Sequence, residues 1–131
     1  MDVSNRDKIV FLLIGGMFWG IGVGAINLLA PIVYANGVWH VAFVAANVVT
    51  APLFILLFAK LTGWSRHRML VPTVLMASSA MGLDGLFVTL DAAGLTTAYT
   101  DLPLHAAYTG GALLLIFWAF LVTALAWHKP A

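Results

Sequence analysis

The sequence predicts an all-α polytopic membrane protein, a bundle of four transmembrane helices that forms one domain. Of the 131 residues, 63% are hydrophobic and only 8% are charged, and the mean hydropathy is +1.02. A soluble globular domain has a far more polar composition. The apolar residues fall into four runs, each longer than the ~18 residues that identify a membrane helix. These runs take up nearly the whole sequence, so we expect a single domain over residues 1–131.

The first run covers about residues 9–34, after a polar start, and contains Asn27 and, near its end, Pro31. It is too long for the apolar region of a secretory signal peptide, and no cleavage site of small residues follows it. We therefore expect it to remain in the protein as the first span.

Turn residues and charged residues separate the other three runs. Asn36-Gly37 is a turn signal, and the second run then covers about residues 38–61. The third covers about residues 69–90 and the fourth about residues 103–127. With short connections, consecutive spans cross the membrane in opposite directions.

The basic residues predict the orientation of the bundle. All of them lie at the ends of spans on one side: Arg6, Lys8, Lys60, Arg66, Arg68 and Lys129. Since Lys and Arg accumulate in cytoplasmic loops, we expect both termini to be cytoplasmic. Trp39, Trp64 and Trp127 fall at the predicted boundaries, where interfacial aromatic residues are common.

Several polar residues are predicted at one depth, in the half of the bundle opposite the basic residues. Helical rise, counted from the span ends, gives them similar heights, and small or polar residues share their helix faces. Those faces should point to the bundle axis, because an amide or carboxylate facing lipid would lack partners. The candidate ligand or proton site consists of Asn27, Asn47, Asp84, Tyr108 and Thr109, with His40 and His105 close by.

Asp84 is the ionisable residue in the middle of this layer. A carboxyl group at that depth must be paired, hydrated or protonated, and no Lys or Arg lies at the same depth. The sequence offers the amides, hydroxyls and imidazoles of the layer as partners, or a bound cation. Two interpretations stay open: a proton, cation or ligand site, or a hydrogen-bonded group that holds helices together at ~0.6–2 kcal/mol.

His40 and His105 lie near the starts of the second and fourth spans. Two histidines on facing helices can ligate a haem or a pigment, or hydrogen-bond a quinone. The simpler interpretation is that both are interfacial side chains. No cofactor is predicted apart from this alternative, and no metal site.

Three glycines in the first span, Gly16, Gly20 and Gly24, form a repeat of small residues at every fourth position. Such a repeat lets another backbone approach closely. We expect helix packing along it, with an internal helix favoured over a second chain.

Other chemistry is missing from the sequence. It contains no Glu and no Cys, and none of the common catalytic or phosphate-binding motifs. The basic residues do not form the clustered face that nucleic-acid binding requires. We therefore expect neither an enzyme nor a nucleic-acid-binding protein.

Short motifs in the second half of the chain carry a resemblance. They are residues 81–86 (MGLDGL), residues 106–108 (AAY) and the aromatic run 117–120 (FWAF). This pattern resembles a family of small, uncharacterised bacterial four-helix proteins of the inner (cytoplasmic) membrane. The resemblance implies the same fold and location and matches Asp84 to that family's Asp, and it implies no activity. Small multidrug transporters have similar size, but their first span carries a Glu that this sequence lacks.

Three hypotheses for the function follow. The first is an accessory or assembly subunit of a larger membrane complex, or a homo-oligomer, so that its partners are the lipid bilayer and either another membrane protein or a second copy. The second is a small proton- or cation-linked transporter that uses Asp84. The third is binding of a haem, pigment or quinone through His40 and His105.

Overall fold

The computed structural model describes residues 3–99 and 103–129, and within the second range the side chains of residue 105 and of residues 109–129. It contains four α-helices, α1 (Asn5–Val33), α2 (Gly37–Thr62), α3 (Leu70–Ala92) and α4 (Pro103–Trp127), and a short 3₁₀ turn (Arg66–Arg68) before α3. No strand occurs in the described residues. All four α-helices contain a segment long and apolar enough to cross a membrane, so the predicted fold class is confirmed.

Polar caps set several helix ends. The Ser4 hydroxyl oxygen accepts a hydrogen bond from the Asp7 backbone N–H at 3.1 Å, so α1 begins within the polar start of the chain. The Asn36 side chain accepts from the Trp39 N–H at 3.1 Å at the start of α2. Gly63 ends α2 with a φ of 73°, which Gly adopts without steric cost. These interactions explain why α1 starts earlier than hydropathy predicts.

The helices follow the order α1, α3, α4, α2 around the bundle. The contacts between α1 and α3 and between α3 and α4 are the most extensive, and the contact between α1 and α2 is the sparsest. Below, the two-loop end is the end that carries the connections at residues 34–36 and 93–99. The opposite end, with residues 63–69 and the ends of the described chain, is called the basic end.

Helices α1 and α3 lie in close contact at Gly15. A Cβ atom added there would overlap the backbone oxygen of Met76 and the hydroxyl of Ser79. The same Ser79 hydroxyl donates a hydrogen bond to the Leu12 carbonyl at 2.8 Å. A side chain larger than Gly at this position would therefore separate the two backbones.

The glycine repeat makes no such contact within the described chain, so the expected internal partner is not found. A Cβ atom added at Gly20 or Gly24 would meet no atom within 4 Å, and one added at Gly16 would meet only Leu83, at 3.9 Å. The reason is helical phase: the face that meets α3 passes through Gly15, one residue before the repeat.

Large side chains fill the half of the bundle near the basic end. The Phe18 ring makes edge-to-face contacts with Phe54, Phe58 and Phe120 at centroid distances of 5.3, 5.5 and 5.7 Å. Ile55, buried completely, belongs to the same cluster. Beyond Phe18, towards the two-loop end, the bundle contains a cavity.

Candidate ligand site

The cavity has a volume of about 120 Å³ and lies between all four helices. The ring of Phe18 separates it from the packed half of the bundle, and most of its walls are apolar. Polar atoms reach the walls from every helix and from the connection after α3. The residues that carry them are Trp19, Tyr34, His40, Asn47, Asp84, Tyr99 and Thr109.

Asp84 is the acidic residue among the described residues of these walls. Its side chain is 6% exposed, and its Oδ1 atom accepts a hydrogen bond from the Tyr99 hydroxyl. The indole N–H of Trp19 is buried near both groups, without meeting an acceptor in good hydrogen-bond geometry. The Trp19 ring is itself stacked on Phe87 at 5.1 Å. Asp84 thus has the Tyr99 hydroxyl as its hydrogen-bond donor and the indole N–H of Trp19 close by.

Tyr99 reaches Asp84 because residues 96–99, here called the inserted loop, fold back into the bundle. The carboxylate of Asp91 accepts hydrogen bonds from the Thr96 hydroxyl at 2.5 Å, the Ala98 N–H at 2.9 Å and the Tyr99 N–H at 2.7 Å. On the other side, the Asn27 amide donates to the Ala98 carbonyl at 2.6 Å. Tyr99 is only 2% exposed as a result.

A second aromatic group lies at the two-loop end around Tyr34. Its ring stacks with His105 at 4.5 Å and with His40 at 6.2 Å. The Tyr34 hydroxyl is hydrogen-bonded to that of Thr109. Since the Thr109 hydroxyl donates its one proton to the His105 carbonyl at 2.9 Å, Tyr34 is the donor in this bond. The two histidines of the haem hypothesis, His40 and His105, therefore both stack on the ring of Tyr34.

The structure brings together some of the predicted site residues and separates others. Asp84, Asn47, Thr109 and His40 line the cavity. Asn27 does not: its amide holds the inserted loop and bonds within α1 to the Val23 carbonyl. His105 contributes to the Tyr34 group, and the Tyr108 side chain lies outside the described residues.

Sequence reasoning missed Trp19, Tyr34 and Tyr99. Trp19 and Tyr34 are aromatic residues in an apolar run, where nothing distinguishes a cavity wall from a lipid-facing position. Tyr99 lies in the connection between the third and fourth runs, outside every predicted span. The sole sequence signal for its insertion is Asp91, a carboxylate at a helix end with backbone donors a few residues later.

Asp84 also borders a groove of about 240 Å³ between α3 and α4. Exposed side chains such as Leu114 line it, so it opens to the outer surface of the bundle. Two glycines make its walls thin: a Cβ atom added at Gly85 would meet nothing within 4 Å, and one at Gly110 would meet only Val88, at 3.4 Å. The carboxyl group thus lies between the central cavity and a surface that faces lipid.

Within residues 3–99 and 103–129, no three His or Asp side chains are grouped so that they could hold a metal ion. Comparison of the chain with family models, with curated proteins and with solved structures finds no match. The resemblance to small four-helix inner-membrane proteins therefore gains no support from these comparisons, and the site must be interpreted from its own chemistry.

Proposed function

We propose that the protein is a small proton- or cation-linked transporter of the bacterial cytoplasmic membrane, with Asp84 as its exchange site and with both termini in the cytoplasm. The observation that carries the proposal is the position of this carboxyl group. It borders the cavity and the lipid-facing groove at once, and none of the described residues that line either of them is Lys or Arg.

Electrostatics couples the binding of a cation at Asp84 to the release of its proton. A carboxylate without compensation inside a membrane is costly, so Asp84 is favourable either as the neutral acid or as the anion beside a cation. Binding of one monovalent cation then releases one proton from the carboxyl group to water, and the total charge of the site does not change. Tyr99 can donate to Oδ1 in both states.

The inserted loop supplies the barrier that a transporter needs. It covers Asp84 at the two-loop end and is held by the hydrogen bonds of Asp91 and Asn27. Its release would connect the cavity to that end of the bundle, while the packed aromatic half closes the other.

Proton flux in liposomes tests this proposal. The purified protein is reconstituted around a trapped pH-sensitive dye, and gradients of Na⁺, K⁺ or tetramethylammonium are imposed. We expect at least one of these cations to drive proton movement in the opposite direction. Asp84→Asn keeps the shape and the acceptor for Tyr99 but cannot exchange a proton, so it should abolish the flux, whereas Asp7→Asn, outside the bundle interior, should retain it. No flux with any of the three cations, or undiminished flux in Asp84→Asn, contradicts the proposal.

The glycine repeat favours a second candidate function, an accessory subunit or homo-oligomer. Gly20 and Gly24 present an open face of α1, beside the exposed side chains of Met17 and Ile21. Another transmembrane helix could approach closely there. The double variant Gly20→Leu, Gly24→Leu should then weaken the assembly. If the protein is a homo-oligomer, cross-linking between its chains should decrease, and if it is an accessory subunit, the co-purifying protein should be lost. Unchanged assembly of this double variant argues against the second candidate.

A further inference from the structure

We propose that the ligand of the central cavity is a small organic ammonium ion with apolar substituents, bound by Asp84 as counter-ion and by the aromatic rings around it. This inference rests on the proposed function only in that the ammonium ion would replace the proton of Asp84.

The first argument is the charge on the walls. Among the described residues that line the cavity, Asp84 is the sole Asp, Glu, Lys or Arg. An anion would be repelled by the ionised carboxyl group, and a neutral molecule brings no counter-charge, so that Asp84 would stay in its neutral acid form. A cation with one positive charge neutralises the ionised carboxylate and is therefore the ligand that can replace its proton.

The second argument is the kind of surface that the cation would meet. In the part of the chain that the structure describes, six Phe, Tyr and Trp side chains line the cavity: Phe18, Trp19, Tyr34, Phe43, Tyr99 and Phe117. The faces of such rings attract cations, and aromatic cages are a common means of binding quaternary ammonium groups. Inorganic cations such as Mg²⁺ need several oxygen ligands in place of water, and the mostly apolar walls offer few. An alkylated ammonium ion carries its charge inside an apolar shell that suits these walls.

The third argument is size and access. A water molecule takes up ~30 Å³ in the liquid, so a cavity of about 120 Å³ has room for a group as compact as tetramethylammonium. A longer apolar substituent could extend past Asp84 into the groove between α3 and α4, where Gly85 and Gly110 leave space. The groove would also admit a cation that is dissolved in the membrane.

Two probes of the same shape test the charge argument. Choline and its uncharged carbon analogue 3,3-dimethylbutan-1-ol differ only at the central nitrogen atom. Their binding to the protein in lipid nanodiscs is measured by calorimetry and by the fluorescence of the Trp residues. We expect choline to bind at least about 10-fold more tightly than the analogue, which corresponds to ~1.4 kcal/mol. Asp84→Asn should remove this preference.

Proton release must be assigned to Asp84 and not to its neighbours. Among the described residues, Tyr34, His40 and Tyr99 are the other titratable groups on the cavity walls, and His105 stacks on Tyr34. Calorimetry in buffers of different ionisation enthalpy measures the protons released with each choline. We expect release in the wild type and none in Asp84→Asn, which retains all four other groups.

A pair of glycine variants separates occupation of the cavity from damage to the fold. Gly22 lines the cavity, Gly20 does not, and a Cβ atom at either position would meet open space. Both lie on α1, so the substitutions change helix propensity equally. Gly22→Leu should abolish choline binding and Gly20→Leu should preserve it.

The outcomes distinguish the two proposals. Equal binding of choline and the analogue, or choline affinity unchanged by Asp84→Asn or by Gly22→Leu, overturns the ammonium site. Flux driven by Na⁺ or K⁺ that requires Asp84, in a protein that does not bind choline, overturns this inference and leaves the transporter standing. Choline binding that requires Asp84, without flux of any cation, supports the ammonium site and removes the transporter.

Discussion

Asp84 and Tyr99 form the contact that joins the inserted loop to the bundle. The carboxyl group comes from the middle of α3 and the hydroxyl from a position 15 residues later, beyond the end of that helix. Both side chains are buried. Their hydrogen bond is therefore sheltered from water. Loss of either side chain leaves the other with an unsatisfied polar group in an apolar environment.

Tyr99→Phe should reduce the stability of the protein. The variant keeps the buried ring and removes only the donor to Asp84, and a buried acceptor left without its donor costs ~1–3 kcal/mol. We expect a loss of that order in the free energy of unfolding, measured by denaturant titration in detergent micelles. In an Asp84→Leu background the same change should cost much less, because the bond is already absent. Equal losses in both backgrounds would show that the hydroxyl acts elsewhere.

The sequence pointed to Asp84 as a candidate site residue but did not indicate its hydrogen-bond partner Tyr99. An Asp inside an apolar run is conspicuous, and the structure places Asp84 on the cavity wall. Tyr99 is hidden from such reasoning because residues 93–99 have the composition of an exposed turn. Their insertion depends on three hydrogen bonds to Asp91 and one from Asn27, which are tertiary contacts without a periodic pattern.

The helices themselves were predictable because each coincides with an apolar run. Their ends were less so, since Ser4 extends α1 into polar sequence through a side-chain cap. The packing face of α1 could not be chosen from sequence. Adjacent helical residues differ by about 100° in direction, and both Gly15 and Gly16 are small. What decides between them is the surface of α3, where the Met76 carbonyl and the Ser79 hydroxyl approach Gly15.

Gly15→Ala and Gly20→Ala form a matched test of this contact. Both changes replace Gly by Ala in the interior of α1, which by helix propensity alone favours folding by about 1 kcal/mol. At Gly15 the new methyl group overlaps backbone and hydroxyl atoms of α3, and overpacking costs ~1–3 kcal/mol. We expect Gly15→Ala to lower the melting temperature in detergent and Gly20→Ala to leave it unchanged or raise it. If instead Gly20→Ala had the lower melting temperature of the two variants, Gly20 would have to contact a second protein chain in the detergent micelle.

Across the whole molecule, the two halves of the bundle differ in packing. The half near the basic end contains the Phe18 cluster, and a hydrogen bond between His67 and the Trp127 carbonyl at 2.9 Å joins two of its segments. The other half contains the cavity and the inserted loop. A packed half next to a hollow one is an arrangement that suits a binding site, because the packed side chains support the walls that the ligand meets.

The orientation of the bundle decides from which side the site receives its ligand, and single cysteines can establish it. The native sequence has no Cys. Ala35 and Ser65 are exposed residues in the connections at opposite ends of the bundle. Since the Lys and Arg residues lie at the Ser65 end and favour the cytoplasm, a membrane-impermeant maleimide should label Ala35→Cys in intact bacterial cells. It should label Ser65→Cys only after the membrane is opened.

This labelling pattern would place the inserted loop and Asp84 near the outer face of the membrane. A ligand would then reach Asp84 from outside the cell or from the outer leaflet, through the groove between α3 and α4, and its proton would leave towards the same side unless the packed half opens. The reverse pattern, with Ser65→Cys labelled in intact cells, would instead turn the cavity towards the cytoplasm. The direction in which exchange at Asp84 begins thus depends on six basic residues that lie at the far end of the bundle.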